Sequence, residues 1–66
     1  MYFKLIKLMS DRGTNQTKLA KQMGLTVTGF NQKVLGNTDF KLGEIIKVKE
    51  IFNLTNAEVI DIFLED

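Results

Sequence analysis

Gln16-Thr17-Lys18-Leu19-Ala20-Lys21-Gln22-Met23-Gly24-Leu25-Thr26-Val27-Thr28-Gly29-Phe30-Asn31-Gln32-Lys33-Val34-Leu35 has the layout required of two short helices crossing at a turn. Leu19, Met23, Leu25 and Phe30 supply a shared apolar centre, Ala20 is small where the helices approach, and Gly24 can take the positive φ of a tight turn. Asn15 is placed to cap the first helix and Thr26 the second. Leu25 and Phe30 have the spacing of a hydrophobic staple around that second start, and Gly36 follows where the second helix should end. Leu25-Thr26-Val27-Thr28 has strand-like composition, but a run so short between Gly24 and Gly29 competes poorly with the cap.

Three further helices flank this pair. A first segment from about Tyr2 to Asp11 carries Leu5, Leu8 and Met9 at helical spacing and stops before Gly13. After Gly36-Asn37-Thr38-Asp39, Phe40 and Ile45 repeat the staple spacing around Lys41, a poor cap, while Glu44 favours a helix start. Leu42, Ile45, Val48 and either Ile51 or Phe52 then form an inward stripe. Thr55-Asn56-Ala57-Glu58 is a capping box, with Leu54 and Val59 as its staple, and opens a last helix to about Leu64. The expectation is one all-α domain of five helices over residues 1–66.

Composition narrows the chemistry. The 66 residues include no cysteine and no histidine, so disulfides, zinc fingers, Cys or Ser–His nucleophiles and histidine acid–base catalysis are excluded. No cofactor, metal or small-molecule ligand is expected, and no enzyme. Glu58, Asp61, Glu65 and Asp66 could together attract a cation, but acids on a helix face are usually only solvated. Charged residues interrupt every apolar run well short of the roughly 18 to 20 residues a membrane span needs. The opening stretch is too short and too broken by lysine to read as a signal peptide, so the expected location is the cytoplasm. A chain this small without a covalent staple is near the lower limit for folding alone, which makes a partner subunit an expectation too.

The net charge of +1 conceals a division along the chain: residues 1–41 carry +5 and residues 42–66 carry −4. A basic half joined to an acidic half suits one face against phosphates and another turned away, and equally suits a solvated surface. The second helix of the central pair bears Val27, Thr28, Asn31 and Gln32 on or near one face, in its N-terminal half. Asn and Gln can both donate to and accept from the N6/N7 edge of adenine, and the methyls of Val27 and Thr28 suit a thymine methyl. No arginine stands here for a strong guanine contact.

In this order and at these separations, Gly13, Asn15-Gln16-x-x-Leu19-Ala20-x-x-x-Gly24-Leu25-Thr26, Gly36 and Leu54-Thr55-x-x-Glu58 resemble the Cro/C1-type helix-turn-helix group of small phage repressors, Cro proteins and bacterial regulators. The resemblance runs from about Leu5 to Phe63. It implies a five-helix, lambda-repressor-like domain that binds double-stranded operator DNA, commonly as a homodimer. It implies that Gln16 holds a phosphate beside the base-reading residues, that Val27, Thr28, Asn31 and Gln32 read bases, and that Asn15, Lys33, Asn37, Thr38 and Lys41 meet the backbone. The chain departs from the pattern in three ways. Met9 and Val34 stand where many members pair an arginine with a glutamate, Lys33 stands where an apolar residue is usual, and Gly29 lies inside the recognition helix at a propensity cost of about 1 kcal/mol.

The functional expectation is a phage or prophage transcriptional regulator that occupies operator DNA with its third helix in the major groove. A second possibility, from another class, is a protein-interaction module of antirepressor or antitoxin type on the same fold. Ile60, Phe63 and Leu64 are the expected dimer contact.

Overall fold

Asn15, Thr26 and Thr55 each place a side-chain oxygen over the open amides of the helix that follows, accepting from Lys18 N–H (2.9 Å), Gly29 N–H (3.0 Å) and Glu58 N–H (3.2 Å). The Glu58 carboxylate closes the box by accepting from Thr55 N–H at 2.8 Å. That backbone bond, and then the Thr55 hydroxyl, hold the Glu58 carboxyl below its ordinary pKa. Lys41 has no side-chain acceptor to offer, and the fourth helix is started by Glu44 alone, whose carboxylate accepts from Lys41 N–H at 2.8 Å.

The computed structural model describes residues 1–64. In it these signals delimit α1 (Phe3–Asp11), α2 (Gln16–Gln22), α3 (Val27–Leu35), α4 (Leu42–Phe52) and α5 (Asn56–Phe63), with no strand among the described residues. Two left-handed residues stop helices. Gly36, at φ 87°, ends α3 and lets Asn37 N–H reach back to the Gln32 carbonyl at 2.9 Å. Asn53, at φ 53°, ends α4 in the same way, with Leu54 N–H on the Lys49 carbonyl at 2.9 Å. Between α2 and α3, Gly24 takes φ 72°, which turns the chain within a few residues so that the two helices pack.

The core forms from one stripe of each helix. Leu5, Leu19, Ala20, Phe30 and Val48 are wholly removed from solvent, and α5 closes the assembly by packing on α1 and α4. A four-ring cluster joins distant parts of the chain. Phe40, in the α3–α4 connection, lies 5.2 Å from Tyr2, 6.1 Å from Phe30 and 5.2 Å from Phe63, each in an edge-on arrangement. Tyr2 also ties the start of the chain to the end of α3, donating its N–H to the Val34 carbonyl at 2.9 Å. Arg12 performs the same office at the other end of α1. Its guanidinium donates to the Phe52 carbonyl at 3.0 Å and sits 5.8 Å from the centre of the Phe52 ring.

Two expectations about facing need correction. Leu42, expected on the inward stripe of α4, is 73% exposed, and the stripe is formed by Val48 and Phe52 with Ile45 and Ile51 half-buried beside them. Leu42 is the first residue of α4, whose buried residues, Val48 and Phe52, lie in the later turns. Phe63, expected in a dimer contact, is buried against Tyr2 and Phe40, while Ile60 and Leu64 stay exposed. Val34 and Met9 are both buried in the core. Two apolar groups at those places avoid the desolvation an internal ion pair would incur. With Val34 turned inward, its neighbour Lys33 lies at the edge of the core.

Candidate nucleic-acid interface

α3 buries Phe30 and Val34 and turns its opposite side outward, so the side chains that could meet a ligand follow from helical spacing. Val27 and Thr28 are exposed at its start, and Asn31 and Gln32 are half-buried one turn later. Leu35, not singled out from sequence, is 37% exposed and continues the line Thr28, Asn31, Leu35. The i, i+3, i+7 spacing was the signal that could have found it. Among the described residues, the side chains of Thr28 and Asn31 make no hydrogen bond within the chain, so their polar groups face solvent unpaired. Gln16, the first residue of α2, is half-buried and likewise makes no side-chain hydrogen bond.

Gly29 has a local explanation. A Cβ built there would lie 2.9 Å from the Thr26 hydroxyl, the same oxygen that accepts from Gly29 N–H. The glycine leaves room for the cap, at the expense of helix propensity.

The connection after α3 is held from both sides. Asn37 donates its side-chain Nδ2 to the Gln32 Oε1 at 2.7 Å, and the Asn37 and Thr38 amides both reach the Gln32 carbonyl. Lys33 donates Nζ to the Asp39 carbonyl at 2.9 Å and pairs with Glu44 at 3.1 Å, their side chains only 13% and 17% exposed. Burial alone would raise the Glu44 carboxyl. The Lys41 N–H, then the hydrogen bond and charge of Lys33, outweigh that and hold it below its ordinary pKa. Lys33, which the resemblance places at the DNA backbone, here links the end of α3 to the start of α4. Thr38 and Lys41 remain exposed, as does Asn15, whose oxygen is committed to its cap.

The charge division along the chain is partly undone in space. Lys4 of the basic half pairs with Asp61 of the acidic half at 2.6 Å, and Lys7 pairs with Asp11 at 2.9 Å. Among the described residues, Lys18, Lys21, Lys41 and Lys47 make no ion pair or side-chain hydrogen bond, and all four are exposed. The acids do not assemble: Glu58 serves its helix cap, Asp61 serves Lys4, and among the described residues no three carboxylates come together as metal ligands. Glu65 and Asp66 lie outside the described residues. No helix among the described residues is long and apolar enough to cross a membrane.

Comparison of the chain with protein-family models, with curated proteins and with solved structures finds no match.

Proposed function

We propose that the protein is a sequence-specific DNA-binding regulator in which α2, the Gly24 turn and α3 act as a helix-turn-helix, with α3 as the element that enters the major groove. The observation that carries this reading is the outward face of α3. Val27, Thr28 and Asn31 stand on a helix whose opposite side is locked into the core, and the polar groups of Thr28 and Asn31 have no partner within the described residues. A rigid helix bearing unpaired amide and hydroxyl groups beside exposed methyls suits the donor, acceptor and thymine-methyl pattern of base edges. The Gln16 amide at the start of α2 and the exposed Thr38 and Lys41 after α3 supply the flanking groups that phosphate contact requires. The resemblance to the Cro/C1-type group adds a phage or prophage setting, a cytoplasmic location and operator occupancy as the mode of action.

Selection of binding sites from a randomised duplex pool at low salt tests the proposal. Enrichment of one sequence, lost on Asn31→Ala together with Thr28→Ala while thermal stability is kept, is the expected result. Absence of any enriched sequence would overturn it.

A second reading has an observation of its own. Phe3, Leu42 and Leu64 are each more than two-thirds exposed, at 67%, 73% and 72%. Exposed apolar side chains of this size suit a protein partner, either a second copy of the chain or a different protein. Capture of a protein from nuclease-treated lysate, with no DNA preference, would favour an interaction module of antirepressor or antitoxin type.

A further inference from the structure

We propose that Asn37 sets the base preference of Gln32 by holding the Gln32 side-chain oxygen, so that Gln32 offers the groove its N–H donors and selects guanine over adenine. The inference rests on the reading of α3 as the base-contacting helix. A glutamine amide ends in one acceptor and one NH2 group, and its usual two-point contact with adenine uses both: the oxygen accepts from N6 and the nitrogen donates to N7. In this protein the two ends are not equally available. The Asn37 Nδ2 lies 2.7 Å from Gln32 Oε1, placing a loop amide over the accepting edge.

Asn37 is itself held in place. Its backbone N–H donates to the Gln32 carbonyl at 2.9 Å, Gly36 before it adopts the left-handed turn, and the connection beyond it is tied down by Lys33 on the Asp39 carbonyl at 2.9 Å. The side-chain pair thus closes over a backbone bond between the same two residues, and turning the Gln32 oxygen outward breaks its bond to Asn37. The NH2 edge remains to face a ligand. Guanine presents two adjacent acceptors, O6 and N7, in the major groove, whereas adenine presents one acceptor beside a donor that would meet a second donor. Asn37 acts as a positioning residue here, through Gln32.

The test is site selection from a randomised duplex pool with the wild-type chain, Gln32→Ala, Asn37→Ala and Asn37→Asp, each checked for retained helix content. Gln32→Ala identifies the base pair that depends on Gln32, as the position whose preference it abolishes. At that position the wild type is expected to favour guanine over adenine roughly tenfold. Asn37→Ala is expected to move that preference toward adenine while leaving the other positions unchanged. Asn37→Asp keeps the shape but replaces the donor with an acceptor. It should draw the Gln32 NH2 inward, turn its oxygen outward, and select a base with an exocyclic amino group. Any general weakening from the new negative charge would fall on all sequences alike and leave this readout intact. A wild-type preference for adenine at the Gln32 position overturns the proposal, as does a guanine preference unchanged in both Asn37 variants. So does a Gln32→Ala profile identical to wild type. If the wild type enriches no sequence, it is the DNA-binding reading that fails, an outcome distinct from these three because they all require an enriched site.

Discussion

Replacing Lys33 with methionine separates a cation that supports the fold from one that meets phosphate. Methionine keeps most of the apolar stem and removes the ammonium, whose two partners are the Asp39 carbonyl at 2.9 Å and the Glu44 carboxylate at 3.1 Å. Both side chains of the ion pair are less than one-fifth exposed, so solvent screens them only in part. A hydrogen bond involving a charged group contributes about 1.5–3 kcal/mol, and the Glu44 carboxylate would be left partly buried without its counter-charge. A loss of about 2 kcal/mol follows, which for a domain of this size lowers the melting temperature by roughly 8–16 °C. The assay is thermal denaturation at neutral pH, paired with the salt dependence of binding to a selected duplex. Lys33→Met should melt earlier and bind with an unchanged salt slope. Lys41→Ala, which removes an exposed lysine, should melt normally and reduce the slope by about 0.9 per protomer bound. Acid provides an internal check. The folded pKa of Glu44 is depressed, so its contribution is present above the ordinary value of 4.5 and disappears as pH falls through the lower folded value. The gap between wild type and Lys33→Met should therefore narrow in acid. An unchanged melting temperature together with a reduced salt slope would refute the reasoning, because it would put the ammonium on phosphate.

Three other expectations can be checked with the same methods. Gly29→Ala alone should change stability by less than about 0.5 kcal/mol, since a propensity gain near 1 kcal/mol is offset by crowding of the Thr26 cap; in a Thr26→Ala background the same change should stabilise by about 1 kcal/mol, and equal effects in both backgrounds would rule the crowding out. Phe40→Ala should cost about 3–5 kcal/mol, a large share of the roughly 3–10 kcal/mol available to 66 residues. A chain that retains cooperative melting near the wild-type temperature would show that the four-ring cluster is dispensable. If the wild type sediments as a dimer, Ile60→Glu with Leu64→Glu should make it monomeric without lowering its helix content, whereas a dimer that survives both changes places the contact elsewhere.

Helix starts and stops were legible in the sequence because capping is a short-range interaction. Asn15, Thr26 and the Thr55–Glu58 box satisfy amides only three residues away, and Gly24 and Gly36 take backbone conformations that side chains oppose. The outward set on α3 was legible for the same reason, once Phe30 marked the inward side. Tertiary contacts decided the rest. The apolar stripe of a short helix permits more than one facing, so whether Leu42 or Phe63 lay inside depended on which neighbours arrived: Tyr2 and Phe40 reach Phe63, while the buried residues of α4, Val48 and Phe52, lie beyond its first turn. Nor did any local pattern mark Lys33 and Asn37 as internal partners. The first owes its role to Glu44, eleven positions on, and to the inward turn of Val34; the second owes it to a left-handed residue that folds the chain back onto Gln32. Sequence determined the five helices and the face α3 turns outward, because those depend on neighbours a turn away. Only the folded chain decided which polar groups on that face are still unpaired, because their partners are assembled by the packing.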